Sequence, residues 1–303
     1  MPLTALHAKQ VVPRAALAGA IGGLLGLVFA EIFAEPVINQ AIDYESARDD
    51  VTNALLVAQG QPPNPDGPDI FSRGVQSTIG IGTGMVFAGI ALGLLFAVVY
   101  TVLQNKLDLR PRVLALVVAG AGFLTLYLTP IIKYPSNPPS IGHEDTIGDR
   151  SGLFLVMVVG SVIFLVVAIL ITNRLKARLG TWNAVLVAGL AYVVLSGILM
   201  ALLPSLGELA VNVASYGPQA TETPQPLKDA AGHLVFPGFD ADQLWYFRLY
   251  SFTAQLIMWG ALALVFGGMA ERAVARSGGA ETSGGAETGV VAAQTRDPDT
   301  ASA

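Results

Sequence analysis

The sequence contains no cysteine and only three histidines, His7, His143 and His233. The first absence excludes disulfides, thiolate metal sites and cysteine nucleophiles together. The second excludes a cage of several imidazoles within one chain. Charge is equally scarce: of 303 residues 17 are basic and 22 acidic, 13% in all, against 53% hydrophobic and a mean hydropathy of +0.59. A soluble domain carries about 25% charged residues, so these few cannot cover so apolar a chain in water, and much of its surface must face lipid. A net charge of −5 leaves no polycationic footprint, which argues against nucleic acid as a partner. The sequence also lacks a Walker-type phosphate loop, a helical His-Glu-x-x-His and a Gly-x-Ser-x-Gly elbow. A self-contained ATPase is thereby excluded and a hydrolase disfavoured. The chain reads as a non-enzyme without a bound cofactor.

What the chain does have is long apolar runs. Residues 14–38, 76–103, 112–132, 153–172, 182–203 and 246–270 are each long enough to cross a hydrocarbon core of about 30 Å, which takes about 20 helical residues. The expected fold is all-α: a polytopic bundle of six transmembrane helices in residues 1–270, then a disordered cytoplasmic tail in residues 271–303, rich in Ala, Gly, Ser, Thr and Glu. The first run exceeds the apolar core of a cleavable signal peptide and is expected to stay attached.

Orientation follows from the basic residues. The N-terminus, the links near Lys106 and Lys176, and the C-terminal flank, with Arg296 in the tail, hold 11 of the 17 on one side. The loops 39–75, 133–152 and 207–245, with Glu35 and Arg248 at their margins, carry 15 acidic and 6 basic residues. Both termini are then cytoplasmic and the acidic loops face outward from an inner membrane. An outgoing span, a Pro-rich loop and a returning span recur three times, with Asp69 and Arg73, Asp145 and Arg150, and Asp242 and Arg248 before the returning helices. This pattern suggests a three-hairpin repeat. Glycines four apart, at Gly19/Gly23, Gly22/Gly26, Gly80/Gly84 and Gly89/Gly93, favour close helix packing in lipid.

Two clusters could meet a cation. Glu31 and Glu35 lie one helical turn apart at the outer end of the first run. A charge within a span is a functional candidate by default, and carboxylate oxygens suit hard divalent cations. In residues 133–150, Pro135, Pro138 and Pro139 hold an extended backbone ahead of His143, Glu144, Asp145 and Asp149. Imidazole with carboxylates suits a borderline divalent metal such as Co²⁺ or Ni²⁺. A local reading competes: Asp145 or Thr146 caps a helix beginning near Ile147, and Asp149 complements its positive end. Arg150, Arg248 and Asp242 are read as structural ion-pair residues, Arg248 pairing with an acid such as Asp149 or Glu31. Trp245, Tyr246 and Tyr250 read as interface anchors.

The motif Tyr134-Pro135-Ser136-Asn137-Pro138-Pro139, continuing through Gly142 and Asp145-Thr146-Ile147-Gly148-Asp149-Arg150, resembles the signature of the CbtA family of predicted cobalt transporter subunits. A second matching stretch runs from Phe239-Asp240-Ala241-Asp242 to Arg248-Leu249, followed by Gln255 and Trp259. The resemblance implies a bacterial subunit for cobalt uptake tied to cobalamin synthesis, with Co²⁺ as substrate and a small single-span partner, CbtB. A homo-oligomer is compatible with it. A different class of role, a structural or assembly subunit of a metal-uptake complex that moves nothing itself, is the alternative. Many relatives carry a His-rich run in the first outer loop, and residues 39–75 contain no His.

Overall fold

A computed structural model describes residues 6–64, 72–139 and 141–294 of the chain, with side chains as far as Arg276. Helix α1 covers Ala8–Phe33. It begins six residues earlier and ends five earlier than the first apolar run. Pro36 sets the end: it has no N–H to offer the carbonyl of Ile32, and its ring crowds that turn. A second helix, α2 (Glu35–Ala58), starts at once with Pro36 in its first turn. The first outer segment is therefore largely helical rather than loop. No Gly or Pro falls between Val37 and Gln59, and helix formers such as Ala41, Ala47, Arg48 and Leu55 carry it.

Helix α3 spans Arg73–Leu103 and α4 spans Pro111–Lys133. Each contains a π-helical turn, at Gln76–Gly80 and Phe123–Leu128. Helix α5 covers Ile147–Leu202, a short helix α6 covers Ala210–Tyr216, and α7 covers Ala241–Gln294. Between α6 and α7 the strands β1 (Leu227–Lys228) and β2 (Leu234–Phe236) pair antiparallel, so the chain is helical but not wholly α. Helix α7 continues past Ala270, where coil was expected to begin.

Among the described residues five helices are long and apolar enough to cross a membrane, where six runs were expected. The difference lies in α5, which joins the runs 153–172 and 182–203. Gly180 interrupts it with φ 75° and ψ 162°, a conformation that side chains with a Cβ disfavour. Ala168 packs with Ala188 and Tyr192 beyond that break. On a straight helix Ala168 and Ala188 would stand about 30 Å apart, so the chain reverses at Gly180. Only 22 to 33% of each apolar stretch is buried by the chain itself, as lipid-facing helices require.

The chain divides into two compact units, one of Met1–Leu24, Met85–Gly120 and Met258–Ala303, the other of Leu25–Gly84 and Ala121–Ile257. In the first, Gly19 of α1 faces Gly89 of α3 so closely that a Cβ on either would fall on the other's carbonyl oxygen. The two backbones touch, which only glycine permits. Phe266 of α7 meets Phe96 and Tyr100 of α3 edge-on, at ring-centroid distances of 4.9 and 4.7 Å, and all three are buried. The Gln104 side chain ties down the Leu6 backbone with two hydrogen bonds, of 3.0 and 2.8 Å.

In the second unit, the π-turn of α4 displaces carbonyls from regular pairing, and the Ser161 hydroxyl donates to the Thr125 carbonyl at 2.6 Å. Buried away from water, that oxygen needs such a partner. Thr129 and Tyr192 share a hydrogen bond of 2.7 Å nearby. The three segments expected as separate outer loops pack on one another. Ala41 of α2, Ile141 and Phe239 form one buried cluster, which Tyr44 and Leu244 adjoin. Tyr44 sets its ring edge-on to Phe239 and donates its hydroxyl to the Pro237 carbonyl at 3.0 Å.

Candidate functional site

The polar centre of this second unit is Glu222, in the stretch between α6 and β1, with no exposed surface. Its Oε1 accepts from the Thr146 hydroxyl (2.6 Å) and from Asn212 Nδ2 (2.8 Å), and its Oε2 stands 3.3 Å from Arg150 Nη1. Thr146 and Arg150 are four residues apart at the start of α5 and so reach the same side. Gly142, at φ 140°, is where the approach is tightest: a Cβ there would lie 2.8 Å from Arg150 Nη1 and 3.1 Å from Glu222 Oε2. Sequence reasoning passed Glu222 over. The four-residue spacing of Thr146 and Arg150 puts both on one face, but nothing near them in sequence points to an acid 76 positions on.

The proline-rich motif makes the neighbouring contacts. Helix α4 ends at Lys133, and Tyr134, 5% exposed, donates its hydroxyl to the Pro204 carbonyl at 2.9 Å. Burial pushes its phenol pKa up. Arg248 of α7 donates Nε to the Ser136 carbonyl (3.2 Å) and Nη2 to Asn137 Oδ1 (2.9 Å). It is not paired with Asp149 or Glu31 as expected; the carbonyl and amide of the motif stand closer and take its donors. Asp242 makes no ion pair among the described residues. The N-cap of α7 is Asp240, whose Oδ1 accepts from the backbone N–H groups of Asp242 and Gln243. A cavity of about 210 Å³ opens here, with Lys133, Asn137, Ser205, Glu222 and Arg248 in its wall. Two cations and one already paired acid make it a poor seat for a bare divalent cation.

The predicted cation ligands fall in two places. Glu35 opens α2, where Arg73 Nη2 donates to its Oε1, while Arg73 Nε and Nη2 also donate to Asn39 Oδ1 at 3.2 and 3.0 Å. Burial raises the Glu35 pKa most; Arg73 opposes the rise and the charge of Glu31 adds to it. Glu35 Oε2 is buried without a hydrogen-bond partner among the described residues. Glu31, at the end of α1, is exposed.

His143 caps a single 3₁₀ turn, Glu144–Thr146, its Nδ1 accepting the Asp145 N–H at 3.3 Å. His143 caps only this turn; the N-cap of α5 is Thr146, one of the two residues expected there, although its side chain makes no capping hydrogen bond. Glu144, Asp145 and Asp149 are exposed, and Asp149 lies in the first turn of α5, where its charge complements the helix dipole. Among the described residues no three His, Asp or Glu side chains converge as a metal site would require. Of the three arginines of the suggested repeat, Arg73 engages Glu35, while Arg150 and Arg248 engage Glu222 and Asn137 rather than the acids preceding them. Asp69 lies outside the described residues.

Several apolar helices, a chain reversal between two of them and a polar cap built from their connections define a multi-pass helical membrane protein. Residues 8–271 match the CbtA family, described as a probable cobalt transporter subunit, and the chain belongs to that family. The family is one of transporter subunits rather than enzymes, and a subunit implies a partner in a complex. Neither the curated proteins nor the solved structures gave a match.

Proposed function

We propose that this protein is the inner-membrane subunit through which a bacterial uptake system brings Co²⁺ into the cell for cobalamin synthesis. The observation that carries the reading is the family match over residues 8–271. The chain crosses the membrane six times, as α1, α3, α4, the two arms of α5 and α7, with both termini in the cytoplasm. In support, a straight α5 of 56 residues would be about 84 Å long, far more than one crossing needs, and Arg174, Lys176 and Arg178 sit just before its reversal at Gly180. The tail after Ala270 lies in the cytoplasm.

On this reading the packed outer cap presents an acidic surface that concentrates cations. Glu31, Glu35, His143, Glu144, Asp145 and Asp149 act as successive weak contacts, not as a resident cage, so the ion is passed on instead of held. Arg150 with Glu222, and Arg248 with the proline-rich motif, keep the cap in shape. A membrane potential negative inside favours entry of a doubly charged ion by about 4.6 kcal/mol per 100 mV. A small single-span CbtB-like subunit completes the system.

The test is accumulation of radioactive cobalt by cells that lack their own uptake system and express the chain with its partner subunit. Expressing cells should take up Co²⁺ well above empty cells, and the double variant Glu31→Gln/Glu35→Gln should lose most of that excess. Equal uptake in expressing and empty cells would overturn transport and leave an assembly role. Unchanged uptake in the double variant would overturn the assignment of these two acids alone.

A further inference from the structure

In the first unit, the start of α1 and the stretch of α7 around Arg272 border a half-open cavity of about 520 Å³, lined by Gln10, Arg14, Met269, Arg272, Ala273 and Arg276. Three guanidinium groups from two helices thus face one space. None of them makes an ion pair among the described residues. Glu271, next to Arg272 in sequence, is turned to Arg112 on α4 instead, at 3.8 Å. Arg14 is held in place by donating Nη1 to the Gln10 carbonyl at 2.5 Å. Arg272 and Arg276 are four residues apart and share a helix face, a spacing at which like charges repel.

A preference for basic residues near cytoplasmic helix ends accounts for their presence, but not for their convergence on one cavity that holds no carboxylate among the described residues. An anion would complete the arrangement. Arginine in all three positions favours a phosphate, whose oxygens match the planar fork of the guanidinium. The cavity is also amphipathic, since Met269 and Ala273 supply apolar wall beside the charges. It has more room than a bare phosphate fills. It lies where the apolar part of α7 gives way to polar residues, which is the level of lipid headgroups.

We infer that this cavity binds the phosphate of an anionic phospholipid headgroup, of the phosphatidylglycerol type. Only its assignment to the cytoplasmic leaflet rests on the topology proposed above; the binding itself does not depend on transport.

The experiment is native mass spectrometry of the purified full chain, stripped of lipid and re-exposed to phosphatidylglycerol, to phosphatidylcholine or to inorganic phosphate. The wild type should retain phosphatidylglycerol over phosphatidylcholine, each arginine contributing about a fivefold factor. The triple variant Arg14→Gln/Arg272→Gln/Arg276→Gln should lose that preference, and Arg14→Lys/Arg272→Lys/Arg276→Lys, which keeps charge and fold, should lose part of it. Arg174→Gln/Arg178→Gln, which removes charge elsewhere, should keep it. Equal retention of phosphatidylglycerol by the wild type and both triple variants would overturn the site. Retention of inorganic phosphate with no preference between the two lipids would overturn the lipid as its source.

Discussion

The two compact units of this protein are held together by opposite means. In the first, backbone meets backbone at Gly19 and Gly89, and Phe96, Tyr100 and Phe266 fill the adjoining space. In the second, polar side chains tie segments far apart in sequence, through Glu222 to Thr146, Asn212 and Arg150, and through Arg248 to Asn137. The difference follows from the surroundings each must satisfy. Between lipid-facing helices burial of apolar area gives little advantage, so close contact of small residues decides. Irregular backbone outside the helices has many polar groups to satisfy, and a fully connected network then selects one arrangement.

The contrast predicts where the molecule breaks most easily. Glu222→Ala should have the largest effect, because it leaves Arg150 facing a void and reduces Thr146 and Asn212 to their bonds with the His143 and Leu206 carbonyls. Removing one partner of a buried pair costs about 3–5 kcal/mol, and the 29% exposure of Arg150 places the loss at about the lower end of that range. Thermal unfolding in detergent measures it, and Glu222→Gln, which keeps an acceptor oxygen, should lose less. A midpoint for Glu222→Ala equal to that of the wild type would show that the network is incidental.

In the first unit the matching perturbation is steric. Gly89→Val would drive side-chain atoms into the Gly19 carbonyl, and overpacking of this kind costs about 1–3 kcal/mol. Gly84→Ala is the control, since nothing lies within 4 Å of a Cβ at that position. The same unfolding measurement should show a lower midpoint for Gly89→Val and none of that loss for Gly84→Ala. Equal midpoints for the two variants would mean that the four-residue glycine spacing carries no packing role.

This pair also marks what the sequence could reveal. Periodicity and length exposed the apolar helices, and glycine spacing pointed to Gly19 and Gly89. The same spacing pointed to Gly80 and Gly84, where the chain places no neighbour at Gly84, because a spacing rule sees one helix and not its partner. The break at Gly180 was masked by apolar runs on either side, and helix α2 by its polar composition, which reads as loop when only hydropathy is weighed. At the candidate site the motif residues were legible as a group but not in their roles. Thr146 reads as a helix cap, Arg150 as an ion-pair residue and Asn137 as part of a motif, whereas Thr146 reaches Glu222 and Asn137 reaches Arg248, 76 and 111 positions away in the chain. Long-range pairing of that kind leaves no local pattern to read.

The smallest expected effect lies at Glu35, where a charge is kept at the edge of the second unit's packing. Burial raises its pKa above the ordinary 4.5, against the pull of Arg73 and with the help of Glu31. Below pH 4.5 the carboxyl is protonated in the folded and unfolded chain alike, and its contribution to stability is fully present. As pH rises through the window between 4.5 and the raised value, the unfolded chain releases its proton first, so stability falls until the folded carboxyl ionises too. Glu35→Gln has no proton to release there. The unfolding midpoint of Glu35→Gln relative to wild type should therefore climb with pH from 4.5 upward and then level off. Glu31→Gln should narrow the window by removing the charge that helps to raise Glu35. A difference between Glu35→Gln and wild type that stays flat with pH would mean that Arg73 fully offsets burial.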